Sequence, residues 1–180
     1  MKKYLFYLSM ALVAVVLFSC KSGKKSVFTP TSSGRAYEVL VVVEKPVWAC
    51  PAGRALYNVL DTDVPGLPQS ERSFRIMSTS PKDFDAILKL VRNIIIVDIQ
   101  DIYTQPKFKY AKDVYASPQM ILTIQAPDEA SFEKFVEENK QPIIDFFTRA
   151  EMNRQISFLE KNHNDYISCL LYTSDAADEL

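Results

Sequence analysis

Residues 37–44 read YEVLVVVE, an unbroken aliphatic and β-branched run held between charged residues. A half-buried strand alternates apolar and polar side chains; this one is apolar on both faces. That pattern predicts a central strand covered on both sides. Pro46 stops the run, because proline cannot donate to a strand ladder. Pro51 to Leu60 (PAGRALYNVL) then places Ala52, Ala55, Leu56, Val59 and Leu60 at helical spacing, with Pro51 suited to the first turn. Gly53 weakens that helix by about 1 kcal/mol relative to alanine. Asp61 to Gln69 is a loop punctuated by proline and glycine.

The same reading continues outward. Ser73 to Ser78 (SFRIMS) alternates as a half-buried strand. Ser80 caps a predicted helix over PKDFDAILKLV, with Phe84, Ile87, Leu88 and Val91 on one face. Asn93 to Asp98 and Met120 to Gln125 are further apolar strands, and Ile99 to Ala116 between them is irregular. Asp128 caps a helix whose stripe is Phe132, Phe135 and Val136. Pro142 kinks or restarts it, and Ile143, Ile144, Phe147, Met152, Ile156 and Leu159 carry the stripe on to about Asn162. The expected class is α+β: a small mixed sheet covered by helices and ending in a long or kinked helix pair. The alternative is α/β. Phe146, Phe147, Phe158 and Leu159 point in more directions than one sheet face covers, which predicts an apolar patch over 142–159.

The two ends read differently. Lys2 and Lys3 precede a run of roughly fifteen apolar residues, too short to span a bilayer, which takes about twenty. The run closes on Leu17-Phe18-Ser19-Cys20, which resembles a bacterial lipobox. Residues 1–19 are then a lipoprotein signal peptide, Cys20 is the lipidation site, and residues 20–34 are a flexible tether of Ser, Thr, Lys and Gly. The implied partner is a membrane, reached through the lipid on Cys20. At the other end Cys169 to Glu179 resembles an in-frame translated sequencing adapter. Residues 169–180 are therefore expected to be non-biological, and 35–168 a truncated globular domain.

The chain of 180 residues is 48% hydrophobic, 12% aromatic and of net charge −1. From Arg35 to Ser168 acidic residues outnumber basic ones, so neither composition nor motif points to nucleic acid. GRAYEVLVVVEKPVW, AGRALYNVLDTDVPGLPQSERSFRI, LKLVRNIIIVDIQ, DVYASPQMILTIQAP and DFFTRAEMNRQISFLEK together resemble an uncharacterised lipoprotein family of Bacteroidales-type bacteria, a domain of unknown function. The resemblance implies an outer-membrane anchor, a periplasm-facing domain and a chain that continues further. It implies no catalytic residue. Lysines directly after Cys20, where surface-exported relatives carry acids, favour the periplasmic side.

Candidate chemistry is sparse. Cys50, after a strand and at a helix start, occupies a place where thiolates are stabilised, but it has no Cys-X-X-Cys partner; a small buried apolar cysteine is the plainer reading. Asp98 and Asp101 flank a strand end and form a carboxylate pair for acid–base work or a solvated edge. His163 stands without metal-ligating neighbours. Tyr103, Phe108, Tyr110 and Tyr115, interleaved with Lys107, Lys109 and Lys112, either meet a glycan or an envelope protein or form a hairpin face with snorkelling lysines. No cofactor motif is present. The expected function is a binding or scaffolding lipoprotein. The alternative is a periplasmic enzyme using the strand-end carboxylates or the Cys50 thiol.

Overall fold

In the computed structural model, residues 29–162 are described. Cys20, His163 and the adapter-like tail lie outside them. Val39 to Val43 are all buried, and strand β1 (Glu38–Val42) is an interior strand covered on both faces, as its two-faced apolar pattern requires. Four further strands complete the sheet: β2 (Arg75–Thr79), β3 (Asn93–Ile99), β4 (Lys107–Lys112) and β5 (Met120–Ala126), in the order β2-β1-β3-β5-β4. The first four in that order run parallel, and β4 pairs antiparallel to β5. The sheet is mixed and the class is α+β.

Four helices join it: α1 (Lys45–Ala49), α2 (Pro51–Leu60), α3 (Glu129–Glu138) and α4 (Lys140–Lys161). Val39, Val41, Ile95, Leu122 and Ile124 face Leu56, Leu60, Phe132, Val136, Ile143 and Phe147 in one core. Leu40, Val42, Ile94 and Ile121 form a second core on the opposite face, with Phe84 and Leu88 packed against it. Alternation along each strand sends neighbouring residues to opposite cores.

The predicted helix over 81–91 is not formed. Turns and a single 3-10 turn, Leu88–Leu90, stand in its place. The aspartates of PKDFDAILKLV explain why. Asp85 Oδ1 accepts from the N–H groups of Ile87 and Leu88 at 3.0 and 3.1 Å, and Ser80 Oγ donates to Asp83 Oδ2 at 2.7 Å. These local bonds compete with helical ones. Phe84 and Leu88 still reach the sheet, while Ile87 is 74% exposed.

Three other differences follow from local chemistry. The stretch after Pro46 holds α1, with Pro46 near the helix start, where a missing N–H costs nothing. The irregular stretch contains β4, whose apolar side chains Phe108 and Tyr110 alternate with lysines. The helix pair breaks at Asn139 rather than at Pro142, which lies in the first turn of α4, where N–H groups lack intrahelical acceptors. The last residues of the predicted tether are attached to the body: Thr31 bridges Ser117 and Ser33 bridges Val91.

Candidate functional site

Asp98 is the next-to-last residue of β3, on the sheet face away from α2–α4. Its neighbour across the ladder is Gln125 of β5. Gln125 Nε2 donates to Asp98 Oδ2 at 3.0 Å and to Tyr103 Oη at 2.6 Å, the Tyr103 hydroxyl donates to Asp98 Oδ2, and Gln100 Nε2 donates to Oδ1 at 2.6 Å. Partial burial alone would raise the Asp98 pKa. The hydrogen bonds from Tyr103, Gln125 and Gln100, with the nearby Lys109 charge, outweigh it and hold the carboxyl below its ordinary value. In turn the Asp98 carboxylate pushes the Tyr103 phenol up. Asp101 is exposed in the next turn and is not one of Asp98's partners. The expected carboxylate pair is therefore one ionised acid, fully hydrogen-bonded, beside a solvated one.

A depressed carboxyl pKa stabilises the fold above the unfolded value near 3.8 and ceases to do so as pH falls through the folded value. The stability gap between the wild type and Asp98→Asn is expected to be constant from neutral pH down to about 5 and to close below about 4. Urea unfolding across that range checks it, and a gap that widens on acidification contradicts it.

Cys50 joins α1 to α2, half-buried against the helix-side core, and its Sγ donates to the Val47 carbonyl at 3.0 Å. The thiol turns back to α1 and makes no cap bond to α2. The aromatic and lysine residues of 103–115 are divided among separate sites. Phe108 packs at a tilt against Phe135, with ring centroids 4.7 Å apart, and Tyr110 against Phe146 at 5.0 Å, on the helix side. Lys107 lies over Tyr103, and Tyr115 meets Phe84 with Lys89 above both rings.

The opposite end of the parallel strands holds a different constellation. Glu151 of α4 has a side chain only 1% exposed. Its Oε1 accepts from Asn93 Nδ2 at 2.6 Å and Arg154 NH1 at 2.8 Å, and its Oε2 accepts from Arg92 NH1 at 3.3 Å. Asn93 also donates to the Glu38 carbonyl at 3.0 Å, and Arg154 donates to Asn93 Oδ1 and the Arg92 carbonyl. Burial lowers the Arg154 pKa, Glu151 opposes this and Arg92 adds to it. Two guanidinium groups share one carboxylate, and Arg92 Nε is buried without an acceptor among the described residues.

Arg154 of this network lines both of two grooves beside α4, and Arg92 and Glu151 line the second. One, of about 780 Å³, lies between α4 and the β4–β5 hairpin, with Tyr110, Lys112 and Met120 on one wall and Phe146, Arg149 and Phe158 on the other. The second, of about 510 Å³, opens toward Thr31 and Ser32 and shares Arg154 and Phe158 with the first. Lys112, Arg149, Arg154 and Lys161 face one carboxylate, Asp145, in the larger groove, so it is strongly cationic in a domain that is net acidic. Phe158 is 66% exposed, with Met152, Ile156 and Leu159 also open to solvent, whereas Phe146 and Phe147 are packed. The apolar patch expected over 142–159 is thus confined to its C-terminal part.

The sequence reading missed this groove because each of its cations is an unremarkable helix or strand lysine or arginine. Every third or fourth residue from Pro142 to Lys161 lines it, a signal visible only once the opposite wall is known. Among the described residues no group of three or more His, Cys, Asp and Glu side chains could hold a metal, and no helix is long and apolar enough to cross a membrane. Residues 32–160 match the family described as a domain of unknown function, DUF8532. No curated protein and no solved structure matches the chain.

Proposed function

The chain belongs to the DUF8532 family, and we propose that it is a lipid-anchored, periplasm-facing envelope protein whose domain binds a ligand or partner in the groove beneath α4. The observation that carries the binding reading is the groove itself: exposed apolar side chains lie beside cations that have no ion-pair partner among the described residues. Apolar surface left open beside a concave, charged wall is the usual mark of a contact surface. The lipobox-like Leu17-Phe18-Ser19-Cys20 supports the anchor. Acyl chains on Cys20 would hold the domain at the membrane, since each buried CH₂ contributes about 0.8 kcal/mol.

Both halves are open to measurement. In a Gram-negative host the chain should incorporate labelled palmitate and Cys20→Ala should abolish it; equal labelling of the variant removes the anchor from the account. For the groove, a chain beginning at residue 20 with Cys20→Ser should brighten Nile red. Phe158→Ser should dim that signal severalfold while changing stability by no more than about 0.5 kcal/mol, as befits a surface change. Undiminished fluorescence in Phe158→Ser would place the dye, and the apolar contact surface, elsewhere.

A further inference from the structure

The arrangement of charge along the groove specifies a class of ligand, an inference that rests on the binding reading above. Phe146 and Arg149 lie three residues apart on α4, as do Phe158 and Lys161. Residues at that spacing are surface neighbours on a helix. Each pair sets a cation beside an aromatic ring on the groove-lining face. The two stations are about 18 Å apart along the axis, at 1.5 Å per residue, and the whole face from Pro142 to Lys161 is roughly 28 Å long. Arg149, Lys161 and Lys112 on the facing wall have no ion pair among the described residues, whereas Arg154 between the stations is committed to Glu151. Asp145 lies toward the Pro142 end, where Gln141 Nε2 bonds it at 2.8 Å.

A single anionic headgroup cannot reach stations about 18 Å apart. An extended chain can. It advances roughly 3.3 Å per residue, so five or six residues join the stations and about eight fill the groove. The facing wall suits such a chain, because Tyr110, Lys112 and Met120 of the β4–β5 hairpin present ring, charge and apolar surface side by side. On β4, Lys112 faces the groove and favours an acidic segment, whereas Lys107 and Lys109 project from the opposite sheet face, beside Tyr103 and Asp98. We infer that the groove takes an extended acidic peptide segment of a partner protein. Its carboxylates meet Arg149 and Lys161, and its apolar side chains rest on Phe146 and Phe158.

Panning a random octapeptide display library against the full chain, held in phosphatidylcholine nanodiscs, tests this without presupposing a sequence. The enriched peptides should be acidic and should contain aliphatic or aromatic residues. Arg149→Gln combined with Lys161→Gln should weaken them about a hundredfold, the loss of two charge-assisted contacts at about tenfold each, and binding to the unaltered chain should weaken as salt rises. Enriched peptides that are neutral or basic, yet lose binding in Phe158→Ser, would overturn the acidic class and leave the groove as a binding site. Dodecyl phosphate displacing the peptides at lower concentration than they bind would likewise overturn it in favour of a single-headed amphiphile. Enrichment of no peptide that depends on Phe158 would overturn both the inference and the binding reading.

Discussion

Glu151→Ala should lower the unfolding free energy by about 3 kcal/mol, the lower end of the range for breaking a buried ion pair. The reasons are local. Asn93, Arg92 and Arg154 all converge on this carboxylate, which is nearly inaccessible to water. Removing it leaves two guanidinium groups side by side with only the Asp113 carboxylate to offset Arg154, and deprives Asn93 Nδ2 of its shorter bond. The arginines are partly exposed, at 24% and 12%, so water recovers some of the loss and the full buried-pair penalty of about 5 kcal/mol is not reached. Glu151→Gln keeps an acceptor and should cost roughly half as much. Glu160→Ala, on the exposed side of the same helix, should change stability by less than about 0.5 kcal/mol. Urea midpoints at pH 7 decide among these. If Glu151→Ala behaves like Glu160→Ala, the network does not hold α4 against the sheet.

Gly53→Ala is expected to destabilise the domain by about 2–3 kcal/mol, although helix propensity alone predicts a gain of about 1 kcal/mol. A Cβ at Gly53 would sit 2.4 Å from the Val47 carbonyl oxygen and 2.6 Å from Trp48 Cα and the Trp48 carbonyl oxygen. Those are backbone atoms of α1, so no side-chain rotation relieves the clash. Either α1 moves away or α2 deforms. Movement of α1 would break the edge-to-face contact of Trp48 with Tyr57, whose ring centroids are 6.1 Å apart. Trp48 is the single tryptophan of the chain, so its emission should shift along with the stability loss. A more stable variant with unchanged emission would contradict the close approach of the two helices.

Gly53 also shows where sequence reasoning stops. Its helix is legible, because five apolar residues recur at helical spacing. The need for glycine is not, since it comes from α1, a five-residue helix without its own apolar stripe. Strands β1, β3 and β5 are legible because consecutive apolar residues admit few alternatives. β4 is not, because KFKYAK mixes charge with aromatics and owes its strand form to pairing with β5. The segment 81–91 is misread for the converse reason: apolar spacing suggests a helix, while Asp83 and Asp85 supply competing bonds within four residues.

The site divides along similar lines. Asp98 is legible as a polar residue ending an apolar strand, but its partners Tyr103 and Gln125 come from two other segments. Asn93, Glu151 and the two arginines are separated by nearly 60 residues in sequence, and nothing in either segment announces the other. Charge within a mostly solvated helix reads as surface until the facing wall is placed beside it.

Hydrogen exchange on the full chain in nanodiscs, with and without the tightest acidic octapeptide, tests most directly that the groove beneath α4 is where this domain binds. Slower exchange confined to the β4–β5 hairpin and to 142–161, with 98–103 unchanged, is the predicted result. Protection at 98–103 with α4 unaffected would move the site to the far end of the strands and contradict the account.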